Sequence, residues 1–274
     1  MDALVAKGLY KVFRMKRFDH LEFDNTRQPT QNGTAPPIPD ESIRSEAYFH
    51  KAAVIYWLAG DFELALRNYS RALEINSAFL EGWVGQVHML IELGEYPEAA
   101  LWADKALKLF PENAKLLAAK AVACAYDGKF EQAMAYSDQS ISKEDISSRA
   151  WLARAQVLMS KKSQIAETCL SNAIGVAGEL APIVRLEAGR LLARSENYYA
   201  ALEYLNSAVR LLSKSALAWY ELGCCQAKLG RPEAAVTLKQ ALKLHSDWTP
   251  AIEALKGVQT QGFLSRLFSK LFRK

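Results

Sequence analysis

Apolar side chains recur along most of this chain at the spacing of amphipathic helices, and the predicted helices come in pairs around tight turns. Gly60, Gly94 and Gly128 stand 34 residues apart, and Gly230 follows in the same register three periods later. The surroundings of the glycines also repeat, with an aromatic residue, then an alanine, then a second small residue. These are Phe62, Tyr96 and Phe130, then Ala65, Ala99 and Ala133, then Ala72, Ala106 and Ser140. Such a period predicts a solenoid of helix-turn-helix units.

The repeats can be aligned in frames of 34 residues. The first helix of each unit is then predicted to open at Phe49, Trp83, Leu117, Trp151, Arg185 and Trp219. Two segments match a known consensus directly, namely Trp219-x2-Leu222-Gly223 and Ala99-x3-Ala103-x2-Ala106 followed by Pro111. On these residues the chain resembles the tetratricopeptide repeat family over residues 46–247, as six consecutive repeats. The resemblance implies an all-α fold, a right-handed α-α solenoid of about six helix pairs with a C-terminal capping helix.

Small residues are expected where the two helices of a pair approach closely. They are Ala52, Ala53, Ala121, Ala155 and Gly189. The repeated glycines are expected to close the first helices, because a left-handed backbone costs glycine little. The fourth and fifth units depart from this pattern, with Lys162 and Glu196 at the glycine position, and the fourth and sixth units are one residue shorter across the turn.

The segments outside the repeats have their own patterns. Residues 1–24 predict a basic amphipathic helix, and residues 25–45 predict a polar, proline-containing linker. Residues 248–260 predict a capping helix that covers the last face of the solenoid, and Gly262 is expected to interrupt it. The apolar face of the first helix comprises Leu4, Val5, Leu9, Val12 and Phe13.

Residues 261–274 form the sharpest local pattern, a second basic amphipathic helix. Its docking residues are predicted to be Phe263, Leu264, Arg266, Leu267, Phe268, Lys270, Leu271, Phe272, Arg273 and Lys274. A helix of this length spans roughly 18 Å, far less than a bilayer. It is therefore expected to lie on a membrane surface or in a groove of another protein, with a second cap on the solenoid as the third interpretation.

The charge distribution separates the ends from the body. Residues 1–17 carry a net charge of +4 and residues 261–274 another +4, whereas the whole chain carries +4, which leaves −4 for the residues between them. A nucleic-acid-binding repeat would need basic residues along its concave face. We therefore expect no nucleic acid, and anionic lipid or an acidic protein surface fits the basic ends better.

The resemblance also implies which positions of each first helix face the concave groove. The predicted protein-binding residues are His50, Val54, Trp57, Leu58, Val84, His88, Ile91, Val122, Tyr126, Gln156, Met159, Arg190 and Arg194. The first half of this set is mostly apolar. The second half is more cationic, through the group Arg149, Gln156, Met159, Arg190, Arg194, Tyr220 and Lys228. The alternative is that Trp57 and Ile91 pack between repeats and that Glu187 neutralises Arg190, one turn away.

Members of the family that bind chaperones hold carboxylates with a clamp of Lys, Asn and Arg. The corresponding positions here are His50, Val54, Gly85, Lys115 and Ala119, and only Lys115 fits. A co-chaperone of that kind is therefore not expected. A partner with an amphipathic helix or an extended apolar peptide suits the first half of the groove better.

Candidate chemistry is sparse. The four cysteines show no C-x-x-C spacing and are expected to be small core residues in a reducing compartment, and the four histidines are scattered over different elements. No catalytic, cofactor-binding or metal-binding motif is visible. Neither a secretory signal nor a transmembrane span is predicted, so a cytoplasmic protein is expected, with a location peripheral to the inner face of a membrane as the alternative.

Together these patterns predict a non-catalytic scaffold or adaptor that binds a protein partner in its groove and uses its basic ends for docking. Two rival classes stay open. One is a self-assembling structural protein in which the terminal helix of one copy fills the groove of the next. The other is a nucleic-acid-binding helical repeat.

Overall fold

The computed structural model describes residues 45–143, 146–161 and 163–271, with side chains up to residue 260. The predicted N-terminal helix (1–24) and, apart from Ser45, the predicted linker (25–45) lie outside the described residues. Within the described ranges the chain forms thirteen α-helices, one short 3-10 helix at Gly178–Leu180 and no strand. The all-α repeat architecture is confirmed.

The first six helices form three antiparallel pairs. They are α1 (Glu46–Ala59), α2 (Phe62–Ile75), α3 (Leu80–Glu92), α4 (Tyr96–Leu109), α5 (Ala114–Tyr126) and α6 (Phe130–Ile141). The next six form three more pairs, α7 (Ser148–Ser160), α8 (Ile165–Gly175), α9 (Ala181–Arg194), α10 (Tyr198–Leu211), α11 (Ala216–Lys228) and α12 (Ala234–Leu244). The last helix, α13 (Thr249–Leu271), packs against α12.

The first helices begin about one turn earlier than the sequence frames predicted. The first starts at Glu46 rather than Phe49, and the second at Leu80 rather than Trp83. Polar N-caps explain several of the early starts: the side chains of Ser45, Asn113, Ser147 and Ser215 accept hydrogen bonds from amides of the first turn.

The predicted glycine turns are confirmed. Gly60, Gly94, Gly128 and Gly230 have φ of +89°, +78°, +77° and +66°. Glu196 keeps the same left-handed conformation in the fifth repeat, with φ of +64°, although it carries a side chain. The turn geometry is therefore held by the packing of the two helices and not by glycine alone. Lys162, at this position of the fourth repeat, lies outside the described residues.

Close helix packing forms the core, as the small residues predicted. Ala53, Ala121 and Ala155 are completely buried. A Cβ built on Gly189 would lie 2.6 Å from Leu205, and one on Gly85 would lie 2.2 Å from the Tyr69 ring. Small residues at these positions are therefore a steric requirement of the helix pairs.

The six repeats wind far enough for the first repeat to meet the last. The Ser215 hydroxyl donates to the carbonyl oxygen of Leu58 at 2.8 Å, and His245 Nδ1 lies 3.0 Å from that of Ala59. Trp248 is 8% exposed, and its ring packs so closely on Gly60 that a Cβ there would lie 2.3 Å from it. We call this contact the closure seam. It turns the solenoid into a closed ring.

The last helix corrects one prediction. Gly262 was expected to separate a capping helix, residues 248–260, from a second helix, residues 261–274, but α13 runs unbroken from Thr249 to Leu271. A single glycine in a helix interior costs only about 1 kcal/mol relative to alanine, which is not enough to end a helix between good helix formers. Residues 272–274 lie outside the described residues.

Candidate functional site

The inner face of the ring is lined by the first helices of the repeats, and most of the predicted groove residues lie there. A cavity of about 200 Å³ lies between α1, α3 and α9, and a smaller one of about 60 Å³ lies deeper, against α5, α7 and α9. Both are lined by His88, Arg149 and Glu187, so they form one axial site. The predicted residues that line it are His50, Val54, Trp57, Val84, His88, Ile91, Val122, Tyr126, Gln156, Arg190 and Arg194.

Two predicted groove residues lie elsewhere. Leu58 lines a groove at the closure seam, and Met159 lines none of these spaces. Trp57, Val84 and Ile91 line the axial site but are 5%, 5% and 7% exposed, so they are largely core residues and not an open binding surface. Their burial agrees with the alternative in which Trp57 and Ile91 pack between repeats, and the Trp57 ring lies against His88 of the next repeat, with centroids 5.5 Å apart. Ile183 and Val184 of α9 also line the cavity beside Trp57.

A buried ion cluster crosses the axis of the ring. Arg190 on α9 is 5% exposed and donates to both carboxylate oxygens of Glu92 on α3, at 2.5 and 2.9 Å, and to Glu221 on α11 at 2.8 Å. Burial opposes the charged form of Glu92, but the Arg190 guanidinium outweighs it and holds the pKa of this carboxyl well below its ordinary value. The cluster thus connects the second, fifth and sixth repeats.

The alternative in which Glu187 neutralises Arg190 does not agree with the contacts of the described residues. Glu187 lies 3.3 Å from His88 Nε2, while Arg190 is satisfied by two carboxylates from other repeats. Burial, and after it the nearby Arg149, lower the pKa of His88 to about 4 against the opposing effect of Glu187 and Glu92. His88 is therefore neutral at pH 7.

Arg194 makes a second set of cationic contacts in the axial site. Arg194 Nη1 donates to the Tyr126 hydroxyl at 2.7 Å, and Nη2 lies 3.4 Å from Glu92. The Tyr126 ring stacks on Tyr96, with centroids 4.8 Å apart. Two of the three arginines on the inner face are thus neutralised within the ring.

Arg149 is the exception. It is partly buried at the start of α7, lines both parts of the axial site, and makes neither a hydrogen bond nor an ion pair with any residue that the structure describes. Trp57 Nε1 and Gln156 Nε2 are buried N–H donors of residues lining the site, and neither has an acceptor among the described residues. A partly dehydrated cation and two unpaired donors favour a ligand that carries a negative charge and hydrogen-bond acceptors.

Sequence reasoning missed the acidic members of the axial cluster. The repeat register that selects Leu58 as a groove position also selects Glu92, 34 residues on, so a signal existed in the sequence. No comparable signal identifies Glu221 as a partner of Arg190, because the two residues come together only through the packing of consecutive repeats.

The second space of note is the seam groove, an open cavity of about 660 Å³ beside the closure seam. Its walls come from the end of α1, the turn between α10 and α11, and the end of α12. They comprise Ile55, Leu58, Ala59, Leu211, Leu212, Ser213, Lys214, Ser215, Ala216, Lys243 and Leu244.

The remaining candidate chemistry is structural. The four cysteines are unpaired thiols, three of them buried, and burial raises the pKa of Cys224 to about 12 and of Cys225 to about 11. In the part of the chain that the structure describes, no three His, Cys, Asp or Glu side chains are grouped to hold a metal ion. No single described helix is long and apolar enough to cross a membrane, although one pair bent by 119°, Ile165–Gly175 with Gly178–Arg194, meets the length and composition criteria.

Comparison with known proteins agrees with this architecture. A family model described as "Tetratricopeptide repeat" matches residues 50–114 and 186–247. An uncharacterized protein of Methanocaldococcus jannaschii is 35% identical over 60 residues, which cover 22% of this chain and 70% of that protein.

Solved structures are similar over most of the chain. A tetratricopeptide repeat protein from Parabacteroides merdae has a TM-score of 0.51 at 18% identity, covering 78% of this chain and 84% of that one. Yeast Tom70 has a TM-score of 0.51 at 16% identity, covering 80% and 48%. A chain of the APC/C hetero-tetramer Cut9-Hcn1 has a TM-score of 0.50 at 18% identity, and the match covers 78% of this chain and 43% of that one. This chain thus spans less than half of the last two, and identities this low establish the fold alone.

Proposed function

Because this chain belongs to the tetratricopeptide repeat family, whose fold supports protein-interaction scaffolds, we propose that it is a non-catalytic scaffold that holds an extended segment of a partner protein in its axial site. The segment inserts an acidic side chain, or its terminal carboxylate, next to Arg149. The apolar walls formed by Val54, Ile183 and Val184 take a neighbouring apolar side chain.

Arg149 is the observation that carries this proposal. A guanidinium that is partly removed from water and has no carboxylate partner loses hydration without compensation. A ligand carboxylate restores two charge-assisted hydrogen bonds, because the planar guanidinium presents paired donors. Arg190 and Arg194 are already paired with Glu92, which leaves Arg149 as the inner-face arginine that is available to a ligand among the described residues.

The dimensions of the site favour an extended segment over a helix. A helix with its side chains is about 10–12 Å across. A cavity of about 200 Å³ accommodates one or two side chains and not a helix of that width. We therefore narrow the expected partner from an amphipathic helix or extended apolar peptide to an extended peptide with one acid group.

The test uses two capped pentapeptides, acetyl-Ala-Leu-Glu-Leu-Ala-amide and its Gln analogue. Binding is followed through the indole N–H resonance of Trp57, identified by its loss in Trp57→Phe. The Glu peptide should shift this resonance, and Arg149→Gln should weaken binding by about 10- to 100-fold, the value of a charge-assisted hydrogen bond. Arg67→Gln, at an exposed position on α2, is the matched control and should bind normally. Equal binding of both peptides, or of the Arg149 and Arg67 variants, would refute the proposal.

We also propose that residues 261–274 dock on an anionic membrane surface on the cytoplasmic side. The continuity of α13 supports this. At 100° per residue, positions 263, 264, 267, 268 and 271 centre about 170° around the helix from positions 251, 252, 255 and 258. The latter positions are buried or half-buried against the sixth repeat. The distal apolar positions thus lie on the side of the helix opposite the one that packs on the sixth repeat. They are therefore not placed to form a second cap on the solenoid.

Vesicle capture tests this docking. Vesicles with anionic lipid should capture the intact protein and release it at higher salt, since each basic residue near the surface contributes about 1 kcal/mol. Deletion of residues 261–274, or Phe268→Glu, should abolish most of the capture. If the deleted protein binds equally well, the membrane-docking proposal for this helix is wrong. Loss of self-association on deletion, seen by light scattering, would instead support docking in a second copy.

A further inference from the structure

The seam groove is an apolar surface with a cationic rim. Ile55 and Leu58 of the first repeat face Leu212 and Leu244 of the fifth and sixth repeats, and Leu211 is 56% exposed. Lys214 and Lys243 are exposed in its lining, and neither makes an ion pair or a hydrogen bond with a described residue. An apolar groove flanked by free lysines suits a segment that carries apolar side chains interleaved with acidic ones.

The two amphipathic ends of the chain do not have this chemistry. Residues 1–17 carry five basic residues and one acidic residue, and residues 261–274 carry four basic residues and no acidic one. Either end would bring cations next to Lys214 and Lys243. Like charges at close range are unfavourable, so neither end is the expected occupant.

One segment of the chain does carry apolar side chains interleaved with acidic ones. Residues 18–24 read Phe-Asp-His-Leu-Glu-Phe-Asp, which is three apolar side chains interleaved with three acidic ones and His20, with no Lys or Arg. We propose that this segment docks in the seam groove of its own chain, with Phe18, Leu21 and Phe23 against the apolar walls and the carboxylates beside the two lysines. Residues 18–24 lie outside the described residues, so the assignment rests on the groove and on the sequence.

The connecting chain has the right length for this docking. The helix α1 has 14 residues and is about 21 Å long, and the groove lies at its C-terminal end, far from Ser45. A stretch of 20 residues, the number from 25 to 44, can reach at most about 66 Å, which is well beyond the length of α1. Residues 38–43 also contain apolar and acidic side chains, but Ile43 is only two residues from Ser45 and cannot reach the groove.

Docking at this position would bridge the ring. One wall of the groove belongs to the first repeat and the others to the fifth and sixth repeats. A bound segment contacts all of them at once and therefore favours the closed ring over any opened form. Because the segment is tethered, its effective concentration is in the millimolar range, so even a weak contact is largely occupied.

Zero-length cross-linking of the full-length protein tests the proposal. A carbodiimide joins a lysine amine to a carboxylate as an amide, and the water that is lost converts the reagent to its urea. Peptide mass spectrometry of the monomer should find Lys214 and Lys243 joined to Asp19, Glu22 or Asp24. Lys108, an exposed lysine on the second repeat, is the internal control and should not be joined to this segment.

Two variants make the test specific. The triple variant Phe18→Ser, Leu21→Ser, Phe23→Ser keeps the acidic residues and should reduce these cross-links about tenfold. This is the loss expected if the ratio of effective concentration to dissociation constant falls from about 10 to about 0.1. In the charge-swapped protein, Lys214→Glu and Lys243→Glu are combined with Asp19→Lys, Glu22→Lys and Asp24→Lys, and cross-links should return at the same positions.

Three results would overturn the proposal. The first is cross-linking of Lys214 and Lys243 at the level of Lys108. The second is unchanged cross-linking in the triple serine variant, which would show that the apolar side chains do not contribute. The third is cross-linking found only in dimers, which would assign the groove to a second copy of the chain. None of these outcomes depends on peptide binding at Arg149.

Discussion

Gly60→Ala measures the strength of the closure seam, because the structure provides a matched control for it. Gly60 and Gly94 occupy equivalent turns, with φ of +89° and +78°, and donate equivalent hydrogen bonds to the preceding helices, Gly60 to Trp57 and Gly94 to Ile91. They differ in their surroundings. A Cβ at position 60 would lie 2.3 Å from the Trp248 ring, whereas one at position 94 would meet nothing within 4 Å.

The expected magnitudes follow from this difference. Alanine in the left-handed conformation costs about 1–2 kcal/mol, partly offset by about 0.4–1 kcal/mol from the less flexible unfolded chain. Gly94→Ala should therefore lower the free energy of unfolding by about 1 kcal/mol. Gly60→Ala must also displace Trp248, and overpacking of this kind costs about 1–3 kcal/mol more.

Thermal unfolding followed by circular dichroism would resolve the two variants. For a domain of this size a loss of 1 kcal/mol lowers Tm by about 2–4 °C, so Gly60→Ala should melt about 6 °C below Gly94→Ala. The additional loss of Tm in Gly60→Ala, relative to Gly94→Ala, should disappear in a Trp248→Leu background, because the ring that the new methyl group displaces is absent there.

Equal melting temperatures for Gly60→Ala and Gly94→Ala would refute this reasoning. They would mean that Trp248 is not seated on the first repeat in solution and that the ring is open. A persistent excess in the Trp248→Leu background would locate the effect of Gly60→Ala within the first repeat and not at the seam.

Three further predictions concern the interior. Glu92→Gln leaves Arg190 with one carboxylate and should lower the free energy of unfolding by about 3–5 kcal/mol in chemical denaturation, and adding Arg190→Met should recover part of the loss. His88 has a folded pKa of about 4 against an ordinary 6.5, so the unfolded chain binds more protons between these values. Stability should fall by at most about 3 kcal/mol as the pH drops through this window, and a pH series on His88→Gln should show a flatter slope. Ala99 is completely buried, so Ala99→Leu should cost about 1–3 kcal/mol, and a neutral effect would contradict the repeat register.

The local architecture could be predicted from the sequence because it depends on short-range rules. Gly60 and its repeats identify the turns, and the alanines that follow at fixed spacing identify the helix contacts. The positions of each first helix that face the groove could also be predicted, since residues as far apart in sequence as His50 and Arg194 line one axial site. The turns, the helix contacts and the face on which each groove residue lies are decided within one repeat or between neighbours.

Ring closure could not be predicted in the same way. Whether the first repeat meets the last depends on the small rotation between successive repeats, which adds up over the whole solenoid. Glu92 and Arg190 are 98 residues apart, and nothing in a single frame of 34 identifies them as partners. For Trp57 and Ile91 the sequence left a groove position and packing between repeats as alternatives, and their low exposure agrees with the second.

The closure seam also limits how this protein could change its number of repeats. An open solenoid gains or loses a unit at little structural cost, because each repeat contacts only its neighbours. Here one inserted or deleted unit would rotate Trp248 and Ser215 away from Gly60 and the Leu58 carbonyl, and would separate Arg190 from Glu92. The seam contacts therefore form only when the ring contains six repeats. Copies of this protein with five or seven repeats should not persist unless the residues of the closure seam also change.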